Sequence, residues 1–330
     1  MNINNSIGTN FRGCALVTRK GKVLFKKASG YADLPNKISN DFKTKFATAS
    51  AGKVFVAVGI LQMIENGLLH FDDNIGEILH FDFHQIDPTI TIEELLTHTS
   101  GIPDYFDESI MTEYEDLWTD FPNYKIRSNQ DLLPLFLNKP MLYPRGSKFQ
   151  YNNTGFVVLA LIIEKIAGME FDKYLADNIF VPCEMRHTAY YELDMLPEKC
   201  AINYIYDEKR GGYRTNIFSV DAKGTGAGGA YTTIADIQSF WQGLLSHKLL
   251  SESMTKNMLS NHSGEKDCYG YGIWLRNTKD DFTPYFQGCD PGVSFISAYT
   301  VQTGLMVTLV SNYGDNVWNL LRDLKGCFSE

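Results

Sequence analysis

No stretch of this 330-residue chain approaches the roughly 20 uninterrupted apolar residues that a bilayer-spanning helix needs. Its longest apolar runs are broken by Lys53, Glu65 or Glu164, so no membrane span is expected. A long basic run is also missing and the net charge is −9. That balance argues against nucleic acid or anionic lipid as the main partner and leaves a small molecule or a peptide. The opening Met1 to Ser6 carries neither a basic segment nor an apolar run. No secretory signal is therefore legible, and the expectation is a cytoplasmic protein, or a secreted one that has been trimmed. Cys14, Cys183, Cys200, Cys268, Cys289 and Cys327 include no Cys-x-x-Cys pair. A zinc ribbon and a thioredoxin motif are excluded, and buried free thiols are expected.

Several catalytic signatures are absent too. There is no Gly-x-Ser-x-Gly elbow, no His-Glu-x-x-His, no Gly-x-x-x-x-Gly-Lys and no Gly-x-Gly-x-x-Gly opening a helix. Gly224, Gly226, Gly228 and Gly229 suggest a phosphate cradle but lack the Lys-Ser/Thr that follows one, which points instead to close backbone packing. His80 and His84 have i,i+4 spacing, yet Pro88 and the interleaved aromatics work against a helix there. Neither a metal nor a cofactor is expected.

What the chain does have is an almost wholly apolar helix candidate from Ser50 to about 66, in which Lys53 is the only ionisable residue before Glu65. A helix apolar on all faces is normally buried, and lysine is almost never fully buried without a partner or a task. Ser50 lies three residues upstream, on the same helical face. Burial lowers an ammonium's pKa, and a lysine that gives up its proton can activate a neighbouring serine. Two other Ser-x-x-Lys matches, Ser253 with Lys256 and Ser263 with Lys266, lie in polar surroundings and read as chance.

Residues 13–32 read as a hairpin turning at Lys20 and Gly21, and Asn66-Gly67 closes the apolar helix. Thr91 and Glu94 form a capping box for a short helix, which ends in the loop Thr97 to Pro103. Residues 104–148 read as short helices and loops, with Tyr105 a pocket-lining candidate. A second apolar helix spans roughly 154–167, and a third follows the glycines through Ile234 to Leu244. Strand-like blocks occur at Tyr271–Leu275, Val293–Tyr299 and Leu305–Val310, before a closing helix over 316–326. Strands at both ends with helices between predict an α+β fold. One antiparallel sheet is completed by both termini and flanked by helices. A single domain is expected over 1–330, with an α/β part at about 1–70 and 225–330 and a mostly helical insertion at about 71–224.

Two further elements bear on chemistry. Tyr151-Asn152-Asn153 supplies a phenol able to relay a proton and a carboxamide able to donate and accept; an N-cap by Asn is compatible with both. Phe286 to Gly292 enters a strand, where an edge backbone N–H could pair with the N–H of Ser50 as an oxyanion hole.

In order along the chain, Phe46–Lys53, Leu95–Pro103, Tyr151–Asn153, Gly228–Asp236 and Phe286–Gly288 resemble the serine β-lactamase-like family. That family comprises class C β-lactamases, low-molecular-weight D,D-peptidases (the penicillin-binding proteins) and related esterases. The resemblance implies a hydrolase forming an acyl-enzyme on Ser50. Lys53 would be the proton acceptor, Tyr151 the partner acid/base, and Asn153 the ligand of the substrate amide. Backbone N–H groups of Ser50 and Cys289 would complete an oxyanion hole beside Gly288. One departure stands out: Phe286 occupies the place where the family usually carries Lys or His. A carboxylate on the substrate would lose its cation there, with Gln287 left to offer a neutral hydrogen bond. An esterase, amidase or dipeptidase is then as consistent as a β-lactamase, and the rival outside catalysis is a penicillin- or peptide-binding sensor domain.

Overall fold

A computed structural model describes residues 11–264, 268–279 and 281–328. The first hairpin is β1 (Gly13–Arg19) and β2 (Lys22–Ser29), joined at Lys20-Gly21, with Gly21 at φ 79°. Four more strands come from the C-terminal region: β3 (Trp274–Asn277), β4 (Phe282–Asp290), β5 (Val293–Thr300) and β6 (Leu305–Ser311). All pair antiparallel in the order β2-β1-β6-β5-β4-β3. The predicted α+β class and the completion of one sheet by both ends of the chain are what the structure has. β2 is an edge strand carrying Lys22, Lys26 and Lys27, a charge pattern that discourages further pairing.

Side chains alternate across this sheet, as the period of two requires. Ala15, Val17, Val307 and Leu309 face the closing helix Val317–Phe328. Cys14, Leu16, Met306 and Val310 face the larger core, built on α1 (Lys53–Glu65), α2 (Asn153–Ala167) and α3 (Ile234–Leu245). Among the described residues no helix is long and apolar enough to cross a membrane. Cys14 and Cys183 are buried as expected, whereas Cys289 is exposed.

Some boundaries differ from the sequence reading. Ser50 lies in a 3-10 turn, Ala49–Gly52, and the α-helix begins at Lys53. The block at Tyr271–Leu275 becomes a strand only from Trp274, because Gly272 turns at φ 69° with its Cα against Ala57. The first half of β4 was not anticipated, since Pro284 demotes a run to a non-strand. It is tolerated here opposite Leu275 of β3. The glycine segment 224–229 does pack backbone on backbone: a Cβ on Gly226 would lie 2.2 Å from the Phe156 carbonyl oxygen.

The start of α2 is fixed twice. Asn152 caps it by accepting from Gly155 N at 2.8 Å, and Asp104 accepts from Asn153 N, Thr154 N and the Thr154 hydroxyl at 2.8, 3.0 and 3.1 Å. Burial pushes the Asp104 carboxyl up to about 6, so at neutral pH it meets these donors largely ionised. Asp104→Ala strips all three and leaves buried N–H groups unpaired. The expected cost is about 3 kcal/mol of unfolding free energy, read by urea denaturation; a loss under 1 kcal/mol would mean water replaces the carboxylate.

Candidate active site

The segment before α1 is clamped to the glycine-rich one. Phe46 and Ala47 pair with Thr232 and Tyr231, Thr48 N donates to Ala230 O at 2.8 Å, and Gly229 N donates to Ala49 O at 3.0 Å. Ala49 takes φ 47°, a left-handed conformation uncommon outside glycine. These contacts hold Ser50 at the head of α1, on the wall of a cleft of about 590 Å³.

Lys53 sits one turn below it, 2 % exposed. Its Nζ is 2.9 Å from Ser50 Oγ, 2.8 Å from Asn153 Oδ1 and 2.6 Å from the Ala227 carbonyl oxygen. Burial lowers its pKa to about 8, although Glu108 and Asp104 pull the other way. A neutral amine has two N–H donors and one lone pair. Asn153 and Ala227 take the donors, and the lone pair is left for the hydroxyl hydrogen of Ser50. A substantial neutral fraction near pH 8 makes this state accessible.

The Tyr151 phenol lies beside the Ser50 hydroxyl. Its ring stacks on Trp274, centroids 5.9 Å apart and planes 17° apart, and touches the His98 ring at 4.5 Å. Burial, then the charge of Glu108, raise the phenol well above its usual pKa, so it is a proton donor rather than a phenolate. His98 is also buried. Its Nδ1 accepts from Asn152 N at 3.2 Å, and desolvation with the nearby Lys53 keeps the ring neutral.

The last wall is β4. A two-residue turn, Pro291-Gly292, closes on the pair Asp290–Val293. Pairs in an antiparallel ladder alternate between hydrogen-bonded and non-hydrogen-bonded. Cys289, opposite Ser294, therefore turns its N–H away from β5. β3 pairs with β4 only as far as Tyr285, so the strand is an open edge from Phe286 onward. Gly288 lies against the head of α1: a Cβ there would be 2.2 Å from Thr48 O and 2.7 Å from Ser50 N.

Of the predicted residues, Ser50, Asn153 and Cys289 line the cleft, while Lys53, Tyr151 and Gly288 stand against Ser50 behind that lining. Tyr105 lines it too, buried with its hydroxyl 3.4 Å from that of Tyr114. One expectation needs correction. Gln287 does not reach the cleft: the strand period turns it to the opposite face, where its Oε1 accepts from Trp318 Nε1 at 2.8 Å. Asn153 lines the cleft, but its amide is engaged by Lys53 and, through Nδ2, by Phe106 O at 3.0 Å and Glu108 at 3.4 Å. It orients the lysine. Phe286 stacks on Trp241 at 5.2 Å inside the core, so no cation stands in its place. His98 and Asp290 lie in segments that the sequence singled out without giving either residue a role, and Trp274 and Asp221 are neighbours that motif reading missed.

The chain matches the β-lactamase family over residues 8–323. It is 29% identical over 285 residues to penicillin-binding protein 4* of Bacillus subtilis, covering 82% of this chain and 61% of that protein. The chain thus spans about three fifths of that relative's length. The crystal structure of a penicillin binding protein from Bacillus halodurans superposes with a TM-score of 0.94 at 36% identity, covering 99% of this chain and 100% of that one. D-amino acid amidase from Ochrobactrum anthropi shares the fold, with a TM-score of 0.79 at 22% identity, covering 99% of this chain and 100% of that one.

Proposed function

The chain belongs to the β-lactamase family, and on that premise we propose that it is a serine hydrolase working through an acyl-enzyme on Ser50, with amide or ester substrates. The observation that carries this reading is the buried Lys53 amine 2.9 Å from Ser50 Oγ, with its remaining contacts to uncharged acceptors. Ser50 Oγ attacks the acyl carbonyl as its proton passes to Lys53. The developing oxyanion is met by the N–H groups of Ser50 and Cys289. Collapse expels the leaving group, which takes a proton from the Tyr151 phenol, itself resupplied from the Lys53 ammonium. Water then attacks the ester on Ser50 as its proton passes to the neutral amine, and collapse of the adduct frees the acid while the Lys53 ammonium returns that proton to Ser50 Oγ, regenerating both the hydroxyl and the amine.

Intact-protein mass spectrometry after incubation with a fluorophosphonate, and separately with a penicillin, tests this directly. A fluorophosphonate adduct that Ser50→Ala abolishes is the expected result. A penicillin adduct as well would extend recognition to β-lactams. An adduct that persists on every substrate tried, with one product released per chain and no turnover, would favour the sensor reading. No Ser50-dependent adduct from either reagent would end the proposal.

A further inference from the structure

His98 is 1 % exposed and lies outside the lining of the cleft, yet it holds the segment that carries Tyr151 at two points. Its carbonyl oxygen accepts from Gln150 N at 2.9 Å, and its ring Nδ1 accepts from Asn152 N at 3.2 Å. The residues on either side of Tyr151 are thus both fastened to one histidine. Its ring also packs against the Tyr151 ring, centroids 4.5 Å apart. His98 takes φ 57°, in the left-handed region where histidine and asparagine are enriched, and in that conformation presents its carbonyl and its ring to the same segment. The short helix Ile92–Leu96 fixes the turn: the Leu95 carbonyl accepts from His98 N at 3.4 Å, and the Glu94 carbonyl from Thr99 N at 2.9 Å.

An Nδ1 that accepts leaves the ring proton of a neutral imidazole on Nε2. That Nε2 is buried with no hydrogen-bond partner among the described residues. The rings of Phe149, Phe156 and Tyr269 stand around the imidazole instead, their centroids at 5.9, 5.1 and 4.8 Å. An N–H that meets only aromatic rings is weakly satisfied, and its burial carries a cost that a hydrocarbon ring would not. Packing alone would be better served here by phenylalanine, and capping of the Asn152 N–H alone by asparagine. Histidine combines the ring with the acceptor. Protonation of Nδ1 would set a second donor against the Asn152 N–H and undo the hold; burial, and then the nearby Lys53, keep the ring neutral.

We propose that His98 is a positioning residue for Tyr151, keeping the phenol in reach of the leaving group by gripping the N–H groups of Gln150 and Asn152. The inference rests on the acyl-enzyme reading above, in which Tyr151 gives the leaving group its proton. Trp274 stacks on the tyrosine ring, a contact that fixes the plane of the ring but not its reach along that plane. The reach is set by the backbone at Tyr151, and His98 fastens that backbone on both sides. A general acid must come within about 2.6–3.2 Å of the atom it protonates. A shift of the segment by about 1 Å therefore takes the phenol out of the reaction while Ser50 and Lys53, on another element, stay in place.

Two acetate esters separate positioning from packing. Nitrophenolate leaves readily without a proton, whereas the more basic phenolate gains from one in the transition state. His98→Phe keeps a ring against Tyr151 and removes the Nδ1 acceptor. It is expected to lower kcat/KM on phenyl acetate about 10- to 100-fold, and on nitrophenyl acetate by less than about threefold, with Tyr151→Phe selective in the same sense. The double variant should lose no more on phenyl acetate than Tyr151→Phe does, because His98 acts through the phenol. His98→Asn offers an acceptor the same number of bonds from the backbone and tolerates the left-handed turn. It should stay within about threefold of wild type on both esters. Equal losses on the two esters, losses that multiply in the double variant, or a His98→Asn as slow as His98→Phe would overturn the inference while leaving Ser50 as nucleophile. Wild-type protein gives a reading that no misfolded variant can obscure. Nitrogen NMR of histidine-labelled protein at neutral pH is expected to show a ring, missing from His98→Asn, with its proton on Nε2 and Nδ1 bare; a ring protonated on Nδ1 would break the grip and end the proposal. Absence of any Ser50-dependent hydrolysis of either ester would instead bring down the underlying reading, and the inference with it.

Discussion

Ser50→Ala and Lys53→Met are each expected to lower kcat/KM by about 10³- to 10⁵-fold, and the double variant no further, because a nucleophile and its base act as one unit. Methionine matches the length and apolar surroundings of the Lys53 stem without an amine. Asn153 Oδ1 and the Ala227 carbonyl lose their donor in the exchange, a cost of about 1–3 kcal/mol. Removing a buried amine from a site of low polarity works in the opposite direction. The fold should therefore survive, and a near-normal melting transition with activity gone assigns the loss to chemistry. The pH profile supplies the sign. With a pKa of about 8, Lys53 is an ammonium without a lone pair below that value and a free amine above it. kcat/KM on an uncharged substrate should climb between about pH 7 and 9. Asp290 adds to the lysine's pKa, so Asp290→Asn moves the limb to lower pH. If the residual activity of Lys53→Met kept the same limb, another group would own it.

Most of this site was legible before any coordinates, because its members are local exceptions to local rules. A lone lysine in an apolar helix violates the burial preference of its type, and Ser50 is found by counting three residues back. The hairpin, the Thr91 capping box and the end of α2 at Gly168 were legible for a similar reason: the backbone conformation demands those residues. What was not legible depends on distant pairings. The face that Gln287 presents follows from the register of β4 against β5, and a one-residue difference in register exchanges the faces. The carboxylates Asp221 and Asp290 lie in segments 69 residues apart in the numbering, each unremarkable as part of a loop or turn. Their adjacency exists only once the glycine-rich segment and the end of β4 close on the same cleft. Asp104 was hidden likewise, since a cap supplied from another segment carries no spacing.

Gly288→Ala tests how close that closure must be. The added methyl would meet the Thr48 carbonyl oxygen at 2.2 Å and the backbone nitrogens of Ser50 and Ala51 at 2.7 Å. All three are main-chain atoms that cannot rotate aside. Relief requires β4 to withdraw by about 1 Å, which carries the Cys289 N–H away from the Ser50 N–H; a displacement of that size at reacting groups costs about 10²-fold. Loss of one oxyanion donor costs about 10²- to 10³-fold in kcat, so the expected fall lies in that range with KM little changed. Gly168→Ala is the matching control. Gly168 closes α2 at φ 65° with nothing within 4 Å of the added methyl, so it should cost about 1 kcal/mol of stability and leave kcat alone. If Gly288→Ala instead lost stability to the same degree as Gly168→Ala and kept its kcat, the edge of β4 would be packing against the head of α1 without taking part in the reaction. The oxyanion would then need a donor other than Cys289.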